Sequence, residues 1–362
     1  MDFKVEIHDQ IDDKIWNKKL SESYGGSVYQ TTNWSRLYKD TFDSKPIFVL
    51  IRNSNEEIIG QLLAFIHNKY FWRNTNIISK HIVSKLNGSI ISWLYGPIVH
   101  DNSHVDDIVS KILEALDEIA AKNNILMIRG SSSPLANQFN DEIFNRFGYK
   151  LKSWATYAVD LNQNAKELYS KLDKNTRYDI RKSEREGVKF FVAENKSSLY
   201  EFAKLKLETT SKKKINKNPN INKKFFDKRW EYLCKEGLEK LFLVKYNDKI
   251  IGGISNLIFN RNVVQLGVGN LPQKGVPAGS FLTWNALKWS IGKKYYRYDM
   301  GGVNPNPQSK KEEMIKFFKS KWQGQLLPYM TYTKIIKKTK YKISSVLMQP
   351  NRLQKRILDA FS

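Results

Sequence analysis

A mixed α/β fold built as two copies of one domain is what the sequence predicts, and three observations carry that expectation. The first is an internal repeat: Pro46-Ile47-Phe48-Val49-Leu50-Ile51, a polar turn and Glu57-Ile58-Ile59-Gly60 return as Leu241-Phe242-Leu243-Val244-Lys245-Tyr246, a polar turn and Lys249-Ile250-Ile251-Gly252. The second is the order of elements after each hairpin. A strand and a helix lead to a strand ending at glycine (Ile128-Arg129-Gly130; Asp299-Met300-Gly301), then to a helix with an aromatic-rich end (144–148; 317–324). Recurrence at a spacing far above solenoid periods points to duplicated domains, not to a repeat array. The third is length, because 362 residues exceed what one hydrophobic core usually fills. The expected domains are 1–160 and 161–335, followed by a basic arm over 336–362.

Residues 1–45 read as an opening strand and helix, with Thr32 or Asn33 as the cap before Trp34 and Leu37. Residues 46–100 alternate apolar and polar side chains in short runs, the last of which stops at Gly96-Pro97. Between Val105 and Lys122 the residues Ile108, Ile112, Leu113, Leu116, Ile119 and Ala120 share one helix face, and Ile125-Leu126-Met127-Ile128 is the buried strand after it. One charged helix is expected over 165–186, stopped by Gly187 in a left-handed cap. Its Arg177, Arg181 and Arg185 line one face, either a solvated salt-bridged surface or a phosphate site. A basic loop, 211–220, contains Pro219 and cannot be helical throughout. Residues 272–279 form a glycine-bearing loop that leads into a helix striped by Leu282, Ala286, Leu287 and Ile291, a natural anion cradle because the first N–H groups of a helix lack intrahelical partners. From Thr331 onward, eight Lys or Arg stand against one Asp with aliphatic residues interleaved. Such an arm suits an anionic membrane, RNA, or packing on the first domain with a basic exterior, and the last is favoured.

Composition excludes more than it selects. A single cysteine, Cys234, on an expected helix face, leaves no internal disulfide and no cysteine-rich zinc site. No apolar run approaches the length of a membrane span and no signal-peptide pattern opens the chain, so a cytoplasmic location is expected, peripheral to the inner face of the membrane if the basic arm touches it. The formal charge of +24 attracts polyanions, although lysine (47) outnumbers arginine (13) in a way that biased codon usage also produces. His100 and His104 have metal-like spacing but read as a turn and helix cap, and neither a metal nor a cofactor is expected. No nucleophile–base pair, phosphate-binding Gly-Lys-Ser/Thr motif or dinucleotide fingerprint is present.

What remains is chemistry that needs no protein nucleophile: a pocket orients an amine against an activated acyl group while a cation stabilises the developing oxyanion. Lys319 can supply that cation, or can simply close a helix C-terminus. Asp299 can join the catalytic site, or can anchor the Gly301-Gly302 turn through its side chain.

In these residues the chain resembles a known family. Tyr298-Asp299-Met300-Gly301-Gly302-Val303 and Ile315-Lys316-Phe317-Phe318-Lys319-Ser320-Lys321-Trp322-Gln323-Gly324, with Gln30 and Trp34 near the start and Arg177-Tyr178-Asp179-Ile180-Arg181-Lys182 at the link, are similar in order to the motifs of the Fem family of peptidyltransferases. The resemblance covers nearly the whole chain. It implies tandem GNAT-like domains, that is, two acyl-CoA N-acyltransferase-like folds, and transfer of an amino acid from aminoacyl-tRNA to the amine of a UDP- or lipid-linked cell-envelope precursor by a monomer. It further implies that Phe318 and Lys319 are site residues, that Arg36 or Lys39 holds the precursor's diphosphate, and that Thr209 or Thr210 with Lys212 or Lys213 stands where the family has Thr and Arg. The last is a departure, since lysine cannot grip phosphate bidentately. Two other functions are compatible with the residues. One is an acyl-CoA N-acyltransferase whose donor site includes Gln273, Lys274, Gly275 and Gly279; the other is a non-catalytic basic RNA-binding protein.

Overall fold

The structure, a computed structural model, describes residues 3–68, 88–136, 139–210 and 219–341. By its contacts the chain divides into two units: Met1–Gly25 with Tyr29–Lys152 and Met330–Ser362, and Gly26–Val28 with Ser153–Tyr329.

In the first unit the strand order is β1 (Lys4–His8), β2 (Lys45–Arg52), β3 (Ile58–Asn68), β4 (Ser89–Ser92), β6 (Ile125–Ser131) and β13 (Gln325–Ile335), with β5 (Ile98–Val99) on β3. β4 and β6 run parallel and the other pairings are antiparallel. Alternation along β2 turns Ile47, Val49 and Ile51 to one face. There they meet Ile108, Ile112, Leu113, Leu116 and Ile119 of α3 (Val105–Lys122), the stripe expected from the sequence. Helices α1 (Asp13–Glu22) and α2 (Thr32–Phe42) precede β2, and the short α4 (Glu142–Arg146) comes after β6. The cap of α2 is Thr31, whose hydroxyl accepts from the Trp34 N–H at 3.2 Å, one residue before the earliest expected position. Gln30 is fully buried and ties backbone to backbone: its amide donates to the Leu63 and Leu94 carbonyls and accepts from the Leu63 N–H.

In the second unit the order is β7 (Lys150–Asp160), β12 (Arg297–Val303), β11 (Asn262–Asn270), β10 (Lys249–Phe259), β9 (Glu239–Tyr246) and β8 (Lys189–Val192). Only β11 and β12 are parallel among these pairings. Phe242 and Val244 of β9 join the core with Leu282 and Leu287 of α9 (Ala278–Gly292), whereas Leu241 and Leu243 pack with Leu199, Phe202 and Leu205 of α7 (Lys196–Thr210). On the face of β9 that carries Leu241 and Leu243, Arg229 grips Glu239 through Nε at 2.6 Å and Nη2 at 2.5 Å, and Ser255 donates to the same carboxylate at 2.7 Å.

Three expectations need correction. The helix expected over 165–186 is two, α5 (Ala165–Lys171) and α6 (Lys174–Arg185), because the Asp173 carboxylate caps the second by accepting from the Thr176 N–H at 2.8 Å. Arg177 donates to the carbonyls of Ser170 and Leu172, so one of the three aligned arginines fastens the end of α5. Pro219 does not sit in a loop but opens α8 (Pro219–Arg229), where its missing N–H costs nothing. The basic C-terminal stretch begins as strand, with Thr331 opposite Ser131 and Ile335 opposite Met127, and from 342 onward lies outside the described residues. Gly187 takes the expected left-handed conformation (φ 83°).

The repeat is visible in each unit, with an exchange at its end. β7 closes the first copy in sequence yet pairs with β12 of the second unit, Ala158 opposite Asp299; β13 closes the second copy yet pairs with β6 of the first. The contact division therefore falls at 152/153 and 329/330, where the sequence reading cuts near 160 and 335.

β6 requires glycine at its end. A Cβ on Gly130 would lie 1.8 Å from the Trp93 ring, which is itself 2% exposed and cannot move aside. Gly130→Ala should lower unfolding free energy by about 1–3 kcal/mol or more through overpacking, read as a lower urea midpoint with unchanged slope; an unchanged midpoint would show that the ring relaxes freely.

Candidate active site

The parallel pairing of β11 and β12 ends at Val264 opposite Asp299. On its other edge β12 pairs with β7 at Asp299–Ala158 and again at Gly302–Thr156, so Met300 and Gly301 together oppose one residue. This bulge explains the Gly-Gly sequence. Gly301 has φ 77°, and a Cβ there would sit 3.0 Å from the Gln265 carbonyl oxygen. At Gly302 a Cβ would meet Trp154 Nε1 at 2.4 Å and the Tyr329 hydroxyl at 2.8 Å.

Asp299 is fully buried and holds the bulge together. Its Oδ1 accepts from the Gly301 N–H at 2.7 Å and from the Thr156 hydroxyl. The turn-anchoring role is therefore real. The cation then comes from α10 (Lys310–Ser320), capped by Ser309. Lys319 does not cap its own helix; its Nζ donates to the carbonyls of Gly301 at 2.8 Å and Gly302 at 3.2 Å. Among the described residues these are its hydrogen-bond partners, and an ammonium has a third donor. Burial pulls the Lys319 ammonium down to about 8, a shift the Asp299 charge partly opposes. Tyr329, buried near the same carboxylate, has its phenol pushed up.

The structure thus brings Asp299 and Lys319 to one bulge. Phe318, beside Lys319, is half-buried and packs on the core, with its ring 6.0 Å from the fully buried Trp322. Gln273 and Val276 close a turn with Lys274 and Gly275 at its tip, Gly275 at φ 78°. Gly279 lies in the first turn of α9, whose N-terminus has no side-chain cap and where Asp179 accepts from the Ser280 hydroxyl at 3.3 Å. Lys212 and Lys213 lie outside the described residues, as does the side chain of Thr210; neighbouring Thr209 bonds the Leu205 carbonyl at 2.7 Å.

In the first unit, Arg36 pairs with Asp13 of α1 and Lys39 is exposed. Neither lines the cavity of about 340 Å³ between α2 and the sheet. That space is walled by Trp34, Tyr38 and Phe65 and carries Arg129, His67 and Ser92. It opens where the parallel pair β4 and β6 ends, at Ser92 opposite Arg129. Burial draws the Arg129 guanidinium down to about 10 and the His67 imidazole to about 4, so at neutral pH the arginine is charged and the histidine is not. His67 is fixed between the hydroxyls of Ser44 (2.7 Å) and Ser92 (2.8 Å) and stacks on Phe65. Sequence reasoning missed Thr156, Tyr329, Arg129 and His67. Only Arg129 carried a signal, as the charge before the glycine that ends the first copy's strand. His100 and His104 form the expected turn, with His104 Nδ1 2.9 Å from Asp101, and no cluster able to hold a metal occurs among the described residues.

The fold is that of the tandem GNAT-like proteins. It is similar to FemX, with a TM-score of 0.70 at 14% identity over 93% of this chain and 99% of that one. It is also similar to L-PGS from Bacillus licheniformis (TM-score 0.53, 13% identity, 94% and 97% covered) and to a tandem GNAT protein from the clavulanic acid biosynthesis pathway (0.56, 9%, 92% and 98%). No family model matches the sequence, and no curated protein does.

Since Lys319 titrates at about 8 when folded, against 10.5 when unfolded, the native chain holds fewer protons between those values. The penalty of burying the charge is full below pH 8 and fades as pH rises to 10.5. Measured against Lys319→Met at each pH, wild-type stability should therefore rise across that window; a flat difference would place the amine in solvent.

Proposed function

We propose that this chain is an aminoacyltransferase, moving an amino acid from aminoacyl-tRNA to the amine of a cell-envelope precursor. The observation that carries the proposal is Lys319: a desolvated ammonium, oriented by two backbone carbonyls, with one N–H left for a reacting oxygen. The similarity to FemX and to L-PGS supports the class of reaction. In the transfer, the acceptor nitrogen bonds to the ester carbonyl carbon and the carbon–oxygen bond to the ribose breaks. The proton shed by the amine ends on the departing hydroxyl. Lys319 donates to the oxygen on which charge builds, where a preorganised donor in a water-poor site acts most strongly. Asp299 and Thr156 position the bulge that holds it and do not touch substrate.

The acceptor's anionic groups fall to Arg129 inside the first unit's cavity and to Arg36 and Lys39 on the outer side of α2. The flat walls of Trp34, Tyr38 and Phe65 suit a planar or aliphatic portion next to the anion. Thr210, Lys212 and Lys213 belong with the acceptor in this reading, while on the donor side the turn at Gln273, Lys274, Gly275 and Gly279 supplies backbone N–H groups and a lysine, and the charge of +24 favours tRNA. The protein works as a monomer at the cytoplasmic side of the membrane; among the described residues no helix is long and apolar enough to cross one. A second reading, an acyl-CoA N-acyltransferase, is favoured by the hydrogen-bonded turn at Gly275 ahead of the uncapped N-terminus of α9. Pure RNA binding leaves a cation buried without purpose.

Incubation with labelled aminoacyl-tRNAs or labelled acyl-CoA and a cell-envelope extract separates these readings by which label reaches a small acceptor. Lys319→Met should lower turnover about 10²–10³-fold while the fold persists, and wild-type turnover should fall as pH passes about 8 and the cation is lost. A rise through that pH would instead make Lys319 a base. Arg129→Met should weaken acceptor half-saturation about 10–100-fold, the worth of a charged hydrogen bond, with turnover at saturation retained.

A further inference from the structure

α10, which carries Lys319, has no fully buried side chain, Lys319 itself being partly covered. Met314 and Phe317 are 64% and 65% exposed, more than any other large apolar side chain among the described residues, and Ile315 beside them is 39% exposed. Lys310, Met314, Phe317 and Lys321 are spaced i, i+4, i+7 and i+11 and so form one stripe, apolar in the middle and basic at both ends. Lys311 is exposed on the neighbouring row, and Lys321 Nζ stands 4.7 Å from the Phe317 ring centre. The acidic residues lie in the first turn: Glu312 is turned inward, accepting from the Gln308 N–H at 2.7 Å, and Glu313 is exposed.

We infer that this face of α10 rests on an anionic lipid bilayer. Bulky apolar side chains flanked by lysines match the boundary between acyl chains and negative headgroups, where the lysine stems follow the apolar side chains inward and the ammonium groups stay at the phosphates. RNA fits less well. Stacking needs an open aromatic face, and the Phe317 ring already has an ammonium over it while Met314 and Ile315 have no ring. The inference rests on the proposed function only for its consequence, that transfer occurs at the membrane surface; the contact itself is independent of catalysis.

Co-sedimentation of the full chain with vesicles of phosphatidylcholine alone, or mixed with phosphatidylglycerol, tests it. The wild type should sediment with the mixed vesicles and not with the neutral ones. Met314→Ser with Phe317→Ser should cut the bound fraction about tenfold at unchanged thermal stability, since both side chains are exposed. Lys319→Met should bind as wild type, so that loss of transfer and loss of membrane contact remain distinguishable. Two results would overturn the inference: sedimentation of the double variant equal to wild type, or a double variant that keeps vesicle binding and loses affinity for a tRNA.

Discussion

Everything at the candidate site depends on an ammonium held by peptide carbonyls and, among the described residues, by no carboxylate. Gly301 and Gly302 offer Lys319 partial negative charge at fixed positions without neutralising it, and Asp299, whose charge acts on the amine from nearby, accepts from the Gly301 N–H and the Thr156 hydroxyl. A direct ion pair would have raised the amine's proton affinity and occupied its donors. Here burial dominates, and the cation stays available at neutral pH at a cost to the fold.

The geometry that permits this is a pair of parallel strands that stop pairing. After Val264 and Asp299, β11 and β12 share no further register, and the bulge at Met300 and Gly301 turns carbonyls toward α10. The first unit repeats the scheme with a different outcome. Its parallel pair ends at Ser92 and Arg129, and the cation beyond that point is a guanidinium facing aromatic walls and a neutral, doubly hydrogen-bonded imidazole. The same plan thus ends in an ammonium over a glycine bulge in one unit and in a guanidinium within a cavity in the other.

Much of this was legible in the chain. The stripe of α3, the paired hairpins and the stop at Gly187 follow from local periodicity and backbone freedom, and the structure has them where the residues put them. Asp299 stood out because an aspartate before Gly301-Gly302 suits a turn, and Lys319 because a cation is what acyl transfer without a protein nucleophile needs and because its motif resembles that of a known family. What could not be read required partners far along the chain. Thr156 lies 143 positions from the carboxylate it donates to, in a strand whose alternation says only that it is half-buried. β7 and β13 each end one copy and pair with the strands of the other unit, a choice no local pattern encodes. The break at Asp173 was missed because a capping aspartate inside a charged helix looks like one more salt-bridge partner.

The protonation of one amine decides whether the oxyanion role holds, and it can be observed without knowing any substrate. Selective carbon-13 labelling of lysine ε-carbons, with Lys319→Met used to assign the resonance, gives its titration directly. A midpoint near 8 is the expected result; a midpoint at or above the ordinary 10.5 would mean that the ammonium is solvated or paired, and the oxyanion role would have to be abandoned.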